Sequence, residues 1–99
     1  MLNINKTVND SSAVVSLAGR LDTVTAPKLE HTLQEFLPEV TKLTLDFSGL
    51  EYLSSAGLRV LLFAQKTMSK RGHMKLTHVN EIIMDIFEVT GFSDILCIE

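Results

Sequence analysis

Two adjacent serines, Ser54 and Ser55, stand where an apolar strand pattern gives way to an apolar helix pattern, within DFSGLEYLSSAGLRVLLFA, residues 46–64. Serine often starts a helix, because its hydroxyl accepts a hydrogen bond from an amide of the first turn. The same place suits an anion, since the first amides lack intrahelical partners and the helix dipole is positive there. The pair therefore offers a helix cap, a phosphorylation site or a nucleophile.

The stretch by itself favours the helix cap, but its residues are also compatible with phosphorylation. A phosphate on Ser55 would add about 1.5 to 2 negative charges, and the amides of the first turn would receive its oxygens. Arg59 lies one helical turn further along the same side. Gly57 leaves space for the close approach of a partner. Phe63 falls on the polar side of the helix, which indicates a contact surface.

An enzymatic nucleophile is the main alternative. LSSAG resembles the G-x-S-x-G elbow of hydrolases, with Ser55 at its centre. However, Leu53 replaces the first glycine, and no Asp or Glu separates Ser55 from His73 or His78, so the usual order of a catalytic triad fails. A Walker phosphate loop is also excluded, because no glycine of this stretch is followed by Lys and then Ser or Thr. We predict that the protein is not an enzyme.

Metal and cofactor sites are not indicated. His73 and His78 are an odd number of residues apart on a predicted strand and point to opposite faces, while His31 lies on a helix without a matching partner. Cys97 is the single cysteine, so it forms no internal disulfide, and its apolar surroundings predict a small core residue. We expect neither metal nor cofactor.

Composition restricts the class of protein. The chain has 99 residues, 45% hydrophobic and 21% charged, which predicts one globular domain, residues 1–99. The net charge is -3, and no basic block exceeds Lys70–Arg71, so we expect no direct binding to nucleic acid. The apolar run 58–64 is far shorter than the roughly 20 residues that span a bilayer, and the first residues do not follow the basic, apolar and small-residue order of a secretory signal. We expect a cytoplasmic protein without a membrane partner.

The elements that must position the serines follow from hydrophobic periodicity. MLNINKTV and SSAVVSLAG predict a hairpin with its turn at residues 9–11. A helix follows, with Asp22, Thr23 and Thr25 as cap candidates, Pro27 in its first turn and its end near Pro38. A strand is predicted at about 41–47, and then the serine junction and a helix to about residue 71.

The last part of the chain predicts a strand in HMKLTHV, a helix from Asn80 to Gly91 and a final strand in DILCIE. The order β-β-α-β-α-β-α-β predicts an α/β domain with a mixed, mostly parallel sheet. Functional loops of such sheets lie at the carboxyl ends of the strands. The loops at 46–57 and at GRLDTVT would lie side by side if their strands are neighbours.

Three segments together resemble a known family: LDFSGLEYLSSAGLRVLL, the upstream LAGRLDTVTAPKLE and the later VTGFSDILCI. They are similar to the STAS domain, whose free-standing form comprises the anti-sigma-factor antagonists of bacterial partner-switching systems. The similarity runs through nearly the whole chain. It implies the small STAS fold, in agreement with the predicted order of elements.

The resemblance also implies a function. An unphosphorylated antagonist binds an anti-sigma factor that is a serine kinase of the histidine-kinase-like ATPase type, and a sigma factor is released. Phosphorylation of one serine at the start of the helix breaks that complex, and a serine phosphatase reverses it. By motif position this serine would be Ser55. The family often has Asp just before this serine, whereas here the position is Ser54. Two adjacent serines are therefore available, and Ser54 is the second candidate.

Further site residues are implied by the same motif positions. Asp22 in GRLD and Asp46 in LDFSG match acidic positions of the family, and Asp46 with Ser48 would form a structural loop. The implied binding surface comprises Asp22, Thr23, Ser54, Ser55, Ala56, Gly57, Leu58, Arg59 and Phe63. The family also includes STAS subunits that bind the ATPase of an ABC-type transporter without kinase control, and this remains the alternative function.

Overall fold

The computed structural model describes all residues from 1 to 99. Four strands are formed by β1 (Leu2–Asn9), β2 (Ser12–Leu21), β3 (Lys42–Leu53) and β4 (His73–Thr77). Three α-helices connect or follow them: α1 (Ala26–Phe36), α2 (Ser55–Ser69) and α3 (Glu81–Thr90). Short 3₁₀ helices occupy Leu37–Glu39 and Phe92–Asp94.

The sheet has the strand order β1-β2-β3-β4. β1 and β2 are antiparallel, whereas β2 with β3 and β3 with β4 are parallel. The predicted α/β class with a mixed, mostly parallel sheet is therefore confirmed. Leu21 at the end of β2 pairs with Leu53 at the end of β3, so the segments that follow the two strands leave the sheet side by side.

One face of the sheet is buried and carries the helices. Val15, Leu45 and Leu76 pair with one another across β2, β3 and β4, and all three are fully buried. Their neighbours along each strand point to the other face and are more exposed. The rings of Phe47 in β3 and Phe87 in α3 lie 6.3 Å apart, which joins the third helix to the same face. The buried apolar residues form a single cluster of 26.

Local sequence signals correctly predicted several helix ends. Pro27 lies in the first turn of α1, where its missing N–H costs no hydrogen bond. Asn80 caps α3, with its side chain accepting a hydrogen bond from the Ile83 amide at 2.9 Å. Gly91 ends α3 with a φ of 83°, a left-handed conformation that glycine adopts readily.

The third strand is longer than predicted, and it absorbs most of the expected loop at 46–57. β3 continues through Leu53, because its register against β2 shifts between Ser16 and Ala18 and again between Gly19 and Arg20. These irregularities keep the strands paired although the hydrophobic alternation changes phase. Two residues predicted in a structural loop, Asp46 and Ser48, therefore lie within a strand.

The predicted final strand is wrong except for one bridge, between Leu76 and Ile98. The 3₁₀ helix Phe92–Asp94 and the turn after it occupy the first half of DILCIE and leave only the last three residues to pair along β4. Cys97 is exposed rather than a core residue. None of the helices combines the length and the hydrophobicity that a membrane span requires. No group of three or more His, Cys, Asp or Glu is placed to hold a metal.

Candidate functional site

The first component of the site is Ser54, which joins β3 to α2. Its backbone is extended, its amide donates to the Leu21 carbonyl oxygen at 2.9 Å, and its Oγ accepts from the Gly57 amide at 3.4 Å. The first bond attaches the junction to the end of β2, and the second satisfies one of the free amides of the helix. Ser54 is therefore the cap of α2.

Ser55 has a different environment, although it is the next residue. It is the first residue of α2, it is exposed, and its hydroxyl takes part in none of the side-chain hydrogen bonds within the chain. Half-buried Ser54 is engaged in holding the helix, whereas Ser55 is available to an outside molecule.

The loop between β2 and α1 is built around the carboxylate of Asp22. Its Oδ1 accepts hydrogen bonds from the amides of Val24 and Thr25, both at 3.0 Å. The Thr25 hydroxyl accepts from the Asp22 amide at 2.9 Å and lies 2.8 Å from the carbonyl oxygen of Arg20. The bond from the Thr25 amide is the main reason why the pKa of the Asp22 carboxyl lies below its usual value. Asp22 therefore stays ionised and holds the loop in one shape.

A stack of Arg20 on Tyr52 connects this loop to the end of β3. The two residues pair across β2 and β3, and the guanidinium carbon lies 4.1 Å from the centroid of the ring. The Nε atom of Arg20 is also 3.7 Å from Oδ2 of Asp22. Side chains thus link the segment that leads into Ser54 with the loop that contains Asp22.

Gly57 and Leu58 lie beneath the surface on which the sequence placed them. Both are buried. A Cβ atom at Gly57 would lie 2.6 Å from Cδ1 of Leu53 and 2.8 Å from Cγ of Leu21. The space that was predicted for a partner is therefore occupied by the chain itself, and glycine is needed so that α2 can pack on the ends of β2 and β3.

A groove between α1 and α2 brings several predicted residues together. It has a volume of about 250 Å³. From the predicted surface it contains Thr23, Ala56, Arg59 and Phe63, and it is completed by Ala26, Pro27, Glu30 and Val60. The last four were missed, because only the packing of α1 against α2 shows which turns meet. Phe63 is partly buried against the core, so its ring forms a wall of the groove rather than projecting into solvent.

Asp46 belongs to a separate structural feature. Its Oδ1 accepts a hydrogen bond from the Ser48 amide at 3.0 Å and lies 3.1 Å from Nδ1 of His78. The bond from Ser48 is the main cause of a lowered pKa of the Asp46 carboxyl. His78 follows β4 with a left-handed φ of 58°. Asp46 thus fixes the irregular part of β3 to the β4–α3 connection, on the face of the sheet opposite to the buried side chains.

The comparison with protein families agrees with this architecture. A family model described as "Mlab, STAS domain" matches residues 4–97. The chain belongs to the STAS domain family. The match includes the serine junction, so the likeness of LSSAG to a hydrolase elbow is explained by a STAS strand that leads directly into a helix.

Two anti-sigma factor antagonists are similar to the chain along nearly its whole length. The anti-sigma-B factor antagonist of Bacillus subtilis is 29% identical over 96 residues, which cover 96% of this chain and 88% of the relative. The crystal structure of an anti-sigma factor antagonist from Mycobacterium paratuberculosis matches this fold with a TM-score of 0.89. The two sequences are 24% identical, and the match covers 99% of this chain and 85% of that one.

The Bacillus protein SpoIIAA shares the same STAS fold at 17% identity. Its unphosphorylated form has a TM-score of 0.83 and its phosphorylated form one of 0.76. The matched regions cover 100% of this chain and 88% and 91% of the two SpoIIAA chains, respectively.

Proposed function

We propose that this STAS domain is an anti-sigma-factor antagonist that works by partner switching. The unphosphorylated form binds an anti-sigma factor that is also a serine kinase of the histidine-kinase-like ATPase type, and so frees a sigma factor. Phosphorylation of Ser55 abolishes this binding, and a serine phosphatase restores it. The whole-length similarity to a named antagonist of Bacillus subtilis supports the general role.

The observation that carries the assignment is the division of roles between the two serines. Ser54 caps α2, while Ser55 is exposed and free of hydrogen bonds within the chain. A kinase needs a hydroxyl that is exposed to solvent and whose modification does not remove a hydrogen bond that the fold requires. Ser55 meets this requirement better than Ser54, whose removal from the cap would leave an amide of the first turn without its partner.

The presence of Ser54 where the family often has Asp is consistent with this assignment. Serine and aspartate are both among the best residues for capping a helix, because each presents an oxygen to the first free amides. Ser54 therefore performs the capping that an Asp would perform. In this proposal Ser54 replaces the Asp as the helix cap, and Ser55 is the residue that is phosphorylated.

The proposed binding surface combines the two loops and the groove. Its accessible members are Asp22, Thr23, Ser54, Ser55, Ala56, Arg59 and Phe63. Gly57 and Leu58, which the sequence also assigned to the surface, support it from below. In this proposal the protein acts as a binding module and as the substrate of a kinase and a phosphatase, with no catalytic group or cofactor of its own.

The switch acts through local electrostatics. Phosphorylation adds about 1.5 to 2 negative charges, which a partner must desolvate if Ser55 lies within the interface. About 1.4 kcal/mol corresponds to a tenfold loss of affinity, so a penalty of a few kcal/mol is enough without a change of fold.

The assignment of Ser55 is tested by incubating the protein with candidate kinases of the histidine-kinase-like type and ATP, followed by intact mass and peptide mapping. Addition of one phosphoryl group in the wild type and in Ser54→Ala, but not in Ser55→Ala, is the expected result. Modification that persists in Ser55→Ala contradicts the assignment. Absence of modification by every candidate kinase favours the alternative, a STAS subunit that binds the ATPase of an ABC-type transporter.

A further inference from the structure

We propose that Arg59 is the internal partner of the phosphate on Ser55, so that the phosphorylated protein closes an ion pair along the first turns of α2. This inference rests on the proposed function for the biological role of the modification. The pair itself requires only that a phosphate be attached to Ser55.

The spacing of the two residues places their side chains together. Ser55 is the first residue of α2 and Arg59 is four positions later, and side chains at this separation are neighbours on a helix surface. Both residues are exposed, so neither has to leave a packed environment in order to meet the other. A guanidinium presents several N–H donors in a planar fork, which matches the oxygens of a phosphate.

Arg59 is also the cation of this surface that remains free. None of the ion pairs within the chain involves it. Arg20, the other arginine near the site, is stacked on Tyr52 and lies 3.7 Å from the carboxylate of Asp22. A phosphate on Ser55 would therefore recruit Arg59 without having to displace an existing contact.

Pairing would connect the chemical state of Ser55 to the groove between α1 and α2. Arg59 lines this groove together with Glu30, Ala56 and Phe63. Because Arg59 is part of the lining, a guanidinium held by the phosphate would change the charge distribution of the groove. The phosphate thus changes the groove as well as adding charge beside it.

The test uses protein with phosphoserine incorporated at position 55 during synthesis, so that no kinase is needed. The conversion of the phosphate dianion to the monoanion is followed by ³¹P NMR in the otherwise unchanged protein, in Arg59→Gln and in Arg59→Lys. Because a cation at this spacing favours the dianion, we expect the phosphate dianion of Arg59→Gln to bind a proton about twofold more tightly than the dianion of the protein with Arg59. Arg59→Lys is expected to retain part of the effect.

Lys66→Gln is the matched control, because it removes the same charge from an exposed position of α2 that lies further along the helix. It is expected to leave the titration unchanged. The ring resonances of Phe63 provide a second measurement: phosphorylation is expected to shift them with Arg59 present and to shift them much less in Arg59→Gln. Identical phosphate titrations with Arg59 present and in Arg59→Gln overturn the proposal, even if phosphorylation blocks partner binding. If the titrations differ as expected but phosphorylation of Ser55 does not weaken partner binding, only the proposed function is overturned.

Discussion

The guanidinium of Arg20 lies 4.1 Å from the centroid of the Tyr52 ring. Arg20 comes from β2 and Tyr52 from β3, at a pair of positions one residue before the strands end. Because Arg20 also approaches Asp22, the stack ties the loop after β2 to the strand that leads into Ser54. The relative position of the two loops therefore depends on side chains as well as on the sheet.

This stack is expected to contribute measurably to stability. Tyr52→Leu removes the ring and should lower the free energy of unfolding by about 0.5–1 kcal/mol, the usual range for an exposed cation–π contact. Tyr52→Phe keeps the ring and should retain most of that stability. Urea denaturation gives the free energy of unfolding of both variants. Equal losses of stability in Tyr52→Leu and Tyr52→Phe would show that the ring is not what holds Arg20.

The capping role of Ser54 gives a second expectation. Ser54→Ala should destabilise the protein by about 1 kcal/mol, because an amide at the start of α2 loses its acceptor. Ser54→Asp should restore the cap, and Ser55→Ala should leave the free energy of unfolding nearly unchanged. Thermal and urea unfolding of the three variants provide the measurement. A larger loss in Ser55→Ala than in Ser54→Ala would reverse the roles assigned to the two serines.

Gly57 is expected to resist replacement by alanine. Helix propensity alone would favour alanine by about 1 kcal/mol. The added Cβ would meet Leu53 and Leu21 at distances under 3.0 Å, however, and overpacking of this kind typically costs about 1–3 kcal/mol. We therefore expect Gly57→Ala to be destabilised in urea denaturation. Ser55→Thr, which adds a methyl group to an exposed position of the same turn, is the control, and a stabilised Gly57→Ala would refute the packing argument.

Asp46 is expected to make stability depend on acidity. Its pKa is lowered in the folded protein by the Ser48 amide, so folding favours the ionised carboxylate. The stabilisation is fully present above the ordinary pKa of 3.8 and is lost as the pH falls through the lower folded pKa. Wild type should therefore be more stable than Asp46→Asn at neutral pH, and the difference should shrink in acid.

The free energy of unfolding is to be measured by urea denaturation from pH 7 down to pH values at which Asp46 becomes protonated. Glu88→Gln changes the net charge equally at an exposed position of α3 and is the matched control. A difference between wild type and Asp46→Asn that stays constant, or that grows as the pH falls, would be inconsistent with the hydrogen bond from Ser48.

Elements with strong local signals could be predicted from the sequence. Asn80 and Gly91 bound α3 because a side-chain acceptor and a left-handed glycine act within one turn of the chain. The neighbourhood of the two loops was also predictable, since it follows from parallel pairing of β2 and β3. These features depend on short-range chemistry or on general rules of topology.

Features that depend on tertiary packing were not predictable. The extension of β3 to Leu53 requires two register shifts against β2, which periodicity in one strand does not reveal. The same applies to Gly57, whose missing side chain accommodates residues distant in sequence, and to the contact of Asp46 with His78. Ile82 and Val89 follow the apolar pattern of α3 but are 67% and 87% exposed, because only one narrow side of that helix meets the core.

The central claim is that a phosphate on Ser55 prevents binding to an anti-sigma factor. Its most direct test is calorimetric titration of the kinase that modifies Ser55 with the unmodified protein and with protein carrying phosphoserine at position 55. Ser69, at the far end of α2, is exposed and provides a matched control for the added charge. We expect phosphoserine at 55 to weaken binding at least about tenfold, a cost of about 1.4 kcal/mol, while phosphoserine at 69 has little effect. Equal affinity of the unmodified protein and the form phosphorylated at Ser55 would contradict the account.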